Sequence, residues 1–236
     1  MSEPGRGRAR VRFWIGGLLA LALSAGCAPG RALQSNAAGT VLFSGPMEKL
    51  VPLHPGDWWL YRSTGDEREP RLELSRATPL PEGDILLTYS ETQAVLGRVH
   101  LRPTAGAILV VSEIDTAGGI GLHYATPVPI FVVPVVAGVR RASSAVEIWR
   151  LADKMALGNG RIDFTFEAKP AADGEIAISV QRTLSVPDHR ADVRHTIWLR
   201  PGVGEVRGGG GGDAPTHREL VCAEIGGTPV GTCPAK

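Results

Sequence analysis

Residues 161–168 read RIDFTFEA. In an extended chain Ile162, Phe164 and Phe166 point to one side and Asp163, Thr165 and Glu167 to the other. RLELSRA alternates likewise, Leu72 and Leu74 against Arg71, Glu73 and Ser75; DILLTYSE, AVLGRVHLR, AILVVSEID, AVEIWRL, EIAISVQRTL, ADVRHTIWL and HRELVCAEI read as further strands, and DWWLYRST is aromatic and strand-prone. PLPEGD, PTAG and AADG supply turns between them, in keeping with 30 glycines and 18 prolines in the chain. Helical spacing is almost absent; LADKMALGNG has room for one short helical turn ending at Gly158. The segment YATPVPIFVVPVV is apolar but broken by Pro127, Pro129 and Pro134, which suits an extended edge or crossover segment better than a central strand. The expectation is an all-β chain of about ten strands in an antiparallel meander, with no scaffold for a doubly wound α/β enzyme.

The N-terminal region has a different character. Arg6, Arg8, Arg10 and Arg12 precede a short apolar run that ends in Ser24, Ala25, Gly26 and Cys27, the order of a secretory signal. As a helix, the roughly 14 residues from Phe13 to Gly26 span about 21 Å, short of the ~30 Å hydrocarbon core. LSAGC resembles the bacterial lipobox, although Leu23 stands four places before the cysteine where leucine is usual at three. The resemblance implies that residues 1–26 are a lipoprotein signal peptide and that Cys27 carries the lipid. Residues 27–40 are then a tether and residues 41–236 the β domain. Ala28, in place of the aspartate that retains lipoproteins in the inner membrane, implies the outer membrane, with the domain facing the periplasm. An ordinary signal peptide followed by a chance cysteine is the alternative reading.

Loss of residues 1–26 removes four arginines and one glutamate from totals of 25 Lys+Arg and 24 Asp+Glu, leaving a charge near −2. That offers no basic stripe for nucleic acid. Cys222 and Cys233 remain as an even pair in an oxidising compartment, bracketing CAEIGGTPVGTC, and are candidates for a disulfide. Spacing alone leaves open two unpaired thiols.

Candidate chemistry is sparse. The pentaglycine Gly208–Gly212 lacks the Lys-Ser/Thr of a phosphate loop, and Arg207 occupies the third glycine position of a dinucleotide fingerprint, so the run reads as a flexible loop. Asp188, His189, Asp192 and His195 are metal-capable residue types across a turn, but no H-E-x-x-H or C-x-x-C supports them. No G-x-S-x-G elbow is present, and Asp163 with Glu167 suits a solvated strand face. The expectation is no catalytic residue, no metal and no cofactor, though a triad dispersed in sequence is compatible with these observations.

Two further motifs stand out. PLHPGDWWLYR holds Pro52, Leu53, Gly56, Trp59 and Tyr61, and WLRPGVGEVR holds Trp198, Pro201, Gly202, Val203, Gly204 and Val206. These resemble the early P-L-x-x-G-x-x-W-x-Y and late W-x-x-P-G-V-G-x-V signatures of an uncharacterised family of exported bacterial β-rich proteins, often lipoproteins. The resemblance implies a strongly curved antiparallel sheet or half-barrel, which the strand count also suggests, and it carries over no catalytic residue. Pro55–Gly56 reads as a turn leading into the aromatic strand, and Pro201–Gly202 fits the central positions of a type II turn. Trp58, Trp59, Tyr61 and Trp198 are candidate core or ligand aromatics. Strand alternation places Trp59 and Tyr61 on one face and Trp58 on the other, and Trp198 is expected near the first two. Three functions fit such a chain: a non-catalytic envelope scaffold or binding module, a carrier holding a lipid or other apolar ligand in its concave sheet, and, third, a periplasmic hydrolase.

Overall fold

A computed structural model describes residues 34–35, 39–64, 70–92, 94–187, 189–211 and 217–234. Residues 1–33, Cys27 among them, and Asp188 and Gly212 lie outside the described residues, so the expected signal peptide and lipid site fall there. Within them the alternation is realised in twelve long strands: β1 (Trp58–Thr64), β2 (Arg71–Pro79), β3 (Ile85–Glu91), β4 (Ala94–Pro103), β5 (Ala107–Asp115), β6 (Ile120–Val132), β7 (Gly138–Arg150), β8 (Ala156–Pro170), β9 (Ile176–Val186), β10 (His189–Arg200), β11 (Gly204–Gly211) and β12 (His217–Ile225). Each pairs antiparallel with the next, and β12 pairs with β1. The meander therefore closes on itself.

The expected open half-barrel of ten strands is thus corrected to a closed barrel of twelve. Two segments account for the difference. Gly204–Gly211, GEVRGGGG, is β11 rather than a flexible loop. YATPVPIFVVPVV supplies most of β6, which pairs on both sides over Ile120–Tyr124 but with β5 alone over Val128–Val132. Pro127 and Pro129 lie where β7 has left the ladder, so their missing N–H groups cost no pairing on that side. LADKMALGNG forms a turn and the start of β8, with no helical turn.

Residues 39–57 cross one end of the barrel. Val41–Phe43 pairs with Val135–Val136 in the β6–β7 turn. The short helix α1 (Met47–Leu50) buries Met47 and Leu50 beneath it. The Gly202 N–H then donates to the Lys49 carbonyl at 2.6 Å. Asp57 ends the crossing: its buried carboxylate accepts from the N–H groups of His54 and Gly226 at 2.9 and 2.7 Å. Gly56 at φ 95° and Gly202 at φ 83° occupy the left-handed positions that these two turns require.

Among the described residues the β11–β12 seam carries three ladder pairs, Arg207, Gly208 and Gly209 with Glu219, Arg218 and His217. Above these pairs two β1 side chains bridge the seam from inside. Trp59 Nε1 donates to the Val203 carbonyl at 2.9 Å, and the Tyr61 hydroxyl donates to the Glu205 carbonyl at 3.0 Å. Beside them a hairpin strand, Thr228–Gly231, takes the free edge of β12, and Cys222 is joined to Cys233 with Cα atoms 5.3 Å apart.

Two outcomes follow for stability. Reducing the Cys222–Cys233 bond is expected to lower unfolding free energy by about 2–3 kcal/mol, read as an earlier urea midpoint; an unchanged midpoint contradicts it. Trp59→Ala is expected to cost about 3–5 kcal/mol, whereas Trp198→Ala on the outer face costs under about 1 kcal/mol. Equal losses in the two variants would contradict this placement.

Candidate binding site in the barrel lumen

Inward side chains from every part of the ring converge on the barrel interior, but they do not fill it. A cavity of about 200 Å³ remains, bounded on its apolar side by Val51 and Leu53 from the end-crossing segment and by Leu87, Val99, Val110, Ile130, Phe131, Phe166, Ile197 and Leu199 from the strands. Trp59, Tyr61, Tyr89 and Phe164 add aromatic wall.

Two ion pairs form the polar part of that wall. Arg182 on β9 meets Glu113 on β5, strands four places apart in the ring, at 2.6 Å. The Tyr124 hydroxyl donates to the other Glu113 oxygen at 2.8 Å, and Arg182 Nη2 donates to that hydroxyl at 3.3 Å. Arg218 on β12 grips Glu205 on β11 through Nε and Nη2 at 2.8 and 2.5 Å. Its guanidinium lies 4.8 Å from the Tyr61 ring centroid. Burial opposes the charge on both arginines. Glu205 outweighs it for Arg218, and Glu113 for Arg182, so both stand above the ordinary arginine range.

The glycine run serves this arrangement. A Cβ on Gly208 would stand 2.5 Å from Glu205 Oε1 and 2.9 Å from Arg218 Nε. Any larger residue there displaces the ion pair. The run that resembled a phosphate loop is therefore strand backbone kept bare so that a salt bridge can lie against it.

The group chemistry of the lumen favours binding over proton transfer. Burial, then the positive charges of Arg218 and Arg182, push His195 down to about 3. Burial pushes the Tyr61, Tyr89 and Tyr124 hydroxyls up. At neutral pH the imidazole is an uncharged base too weak to take a proton, and the phenols stay protonated.

The residues singled out by sequence are distributed as follows. Trp59 and Tyr61 are buried in the lumen wall. Trp58 faces outward, opposite Trp59. Trp198 also faces outward, because its neighbours Ile197 and Leu199 occupy the inward positions of β10, and the Arg207 guanidinium lies 5.2 Å from its ring centroid. The expectation that Trp198 joins Trp59 and Tyr61 is corrected by this parity. His195 faces inward, whereas Asp192 lies on the outer face bonded to Thr183 and Arg190. No group of three or more metal-capable side chains exists among the described residues. Asp163 and Glu167 are exposed beside Arg161 and Lys169. Glu113, Arg182, Glu205 and Arg218 were not anticipated. An arginine or glutamate at an inward position of an alternating strand, as Arg182 is in ISVQRTL, is the signal that marks them.

No protein-family model matches the chain, and no curated protein matches it. Among solved structures, the chain is similar to a protein assigned as exported, with a YmcC-like fold, from Bacteroides fragilis: TM-score 0.40 and 12% identity, over 72% of this chain and 96% of that one. It is also similar to a protein assigned as a lipoprotein from Parabacteroides distasonis, with TM-score 0.38 and 13% identity over 78% and 98% of the two chains.

His195 sets an acid limit on this site. Its imidazole is neutral in the fold and protonates near 6.5 when unfolded, so its contribution is complete above that pH and declines as pH falls toward about 3. Stability is expected to drop by up to about 1.4 kcal/mol per pH unit between pH 6 and 4.5. Asp84, held low first by its bond to Arg102, and Glu175, whose burial is outweighed by Arg207 and Arg200, add their losses below about pH 4. A His195→Gln variant should flatten the pH 6–4.5 portion of the curve in urea titrations; an unchanged slope contradicts the assignment.

Proposed function

We propose that the chain is an exported lipoprotein whose barrel is a non-catalytic binding module for a small apolar ligand held in its lumen. In this reading residues 1–26 are the signal peptide, Cys27 carries the lipid, residues 27–40 lead to the domain, and residues 41–236 face the periplasm from the outer membrane. The short h-region and LSAGC support the anchor. Three acyl chains hold a protein to a bilayer where a single chain binds only marginally.

The observation that carries the binding reading is the unfilled lumen. Interiors are ordinarily packed with few voids larger than a water molecule, and an apolar cavity of roughly 150 Å³ suffices to take up benzene. Here about 200 Å³ is left inside a closed sheet, against aliphatic and aromatic walls. A scaffold would gain stability by filling that space. A hydrolase would need an acid–base group near neutral pH; the lumen's histidine and tyrosines are held away from it, and Asp115, which burial pushes up, is tied to the Gly118 N–H at 2.9 Å.

Uptake of N-phenyl-1-naphthylamine, a neutral fluorescent probe, tests the lumen. Leu87→Trp, which grows into the cavity, is expected to weaken uptake by about tenfold or more, with a melting temperature close to the parent. Equal uptake by parent and variant would contradict binding in the lumen. Metabolic palmitate labelling tests the anchor: Cys27→Ser should abolish it, and undiminished labelling excludes acylation at Cys27.

A further inference from the structure

The barrel wall has a gap. β6 and β7 pair only through Ile120–Tyr124 and Val146–Arg150; beyond that point the two strands part, β6 staying with β5, and β7 staying with β8 while Gln34–Ser35 take part of the edge that β6 leaves. The carbonyls of Pro129 and Ile130 face the opening, and Arg140 of β7 fills it. Its Nη1 and Nη2 donate to those two carbonyls at 2.6 and 2.9 Å. Its guanidinium lies 4.0 Å from the centroid of the Phe166 ring. The Phe166 ring, stacked on Phe164, and the adjoining Ile130 and Phe131 belong to the cavity wall.

Arg140 differs from the other two arginines of the interior. Arg182 and Arg218 each hold a carboxylate, whereas Arg140 has none among the described residues. Burial alone, with no anion to offset it, lowers it to about 10. A guanidinium removed from water without a counter-charge is costly, and two neutral carbonyls and a ring face leave its full positive charge uncompensated. An anionic group arriving at the gap would complete it, while an attached hydrocarbon chain entered the cavity past Phe131 and Phe166.

The gap also lies where the anchor would bring the domain close to lipid. Gln34 and Ser35 pair with Arg141 and Arg140. Six residues lie between Cys27 and Gln34, so the two are at most about 25 Å apart. We infer that the lumen takes a single-chain anionic amphiphile through the gap between β6 and β7, its head group held by Arg140 and its chain in the cavity. This rests on the binding reading above and gives it a ligand class.

The test compares ligands that share one chain. Decanol, decanoate and decyl phosphate are competed against N-phenyl-1-naphthylamine on the full domain at pH 7.4, with the parent and with Arg140→Gln, which retains a donor for the carbonyls but no charge. The parent is expected to bind decanoate or decyl phosphate about tenfold or more tightly than decanol, and the stronger of the two identifies the head group as carboxylate or phosphate. Arg140→Gln should abolish that preference, read as the ratio of anion to decanol affinity within each protein. Equal binding of all three ligands by the parent overturns the inference while leaving the lumen a binding site, and this comparison requires no variant. A preference that persists in Arg140→Gln overturns the assignment to Arg140. Failure of the probe itself to bind overturns the underlying function along with it.

Discussion

The closure of the barrel depends on a bridge of two hydrogen bonds. At the β11–β12 seam the described residues carry three ladder pairs, and Trp59 and Tyr61 reinforce the join by reaching from β1 to the carbonyls of Val203 and Glu205. Both aromatics are buried, so each bond is made where water does not compete, and an unpaired indole N–H or phenol there would bear its full desolvation cost. The same two side chains contribute large apolar area to the core. The early and late sequence motifs, about 140 residues apart, are therefore the two halves of one structural joint. Lys49, Pro52 and Gly202–Gly204 meet at its upper end.

Closing the ring withdraws Arg182 and Arg218 from most of the solvent, and each is balanced by a carboxylate. Arg218 lies directly behind the seam, sandwiched between Glu205 and the Tyr61 ring, and Gly208 leaves the space it occupies. Arg182 and Glu113 tie β9 to β5 across the lumen. Buried pairs of this kind are weak sources of stability, since desolvation consumes most of their attraction, but breaking one partner is strongly destabilising. They consequently fix which strands face which across the cavity. The apolar remainder of the wall encloses space that no side chain takes up, and Arg140 stands at its one-sided opening between β6 and β7.

Much of the strand layout was legible in the sequence because alternation is a local property. RIDFTFEA and EIAISVQRTL are strands with the facing that their period implies, whereas RLELSRA is a strand with the opposite facing: Leu72 is exposed, while Ser75 and Ala77 are buried on the inward side. The turns at Pro55–Gly56 and Pro201–Gly202 were equally legible, since their glycines adopt the positive φ that their positions demand. What was not legible depends on distant partners. A glycine run has no alternation and low strand propensity, and only the neighbouring Arg218–Glu205 pair explains why Gly208 must lack a side chain. The prolines of β6 argued against a paired strand because the splitting of β7 from β6 is a tertiary event. The lumen's ion pairs join residues as far apart as Glu113 and Arg182. Trp198 is a different case: Ile197 and Leu199 flank it, and strict alternation already assigns it to the outer face.

A crystal structure determined under xenon pressure tests the closed ring and its unfilled lumen most directly. Xenon enters apolar cavities without needing polar partners. The account predicts a xenon site inside the barrel among Leu87, Val110, Phe166 and Ile197, within a ring whose β11–β12 seam is closed by Trp59 and Tyr61. A barrel whose interior stays free of xenon, with side chains packed through the space between those residues, would contradict it.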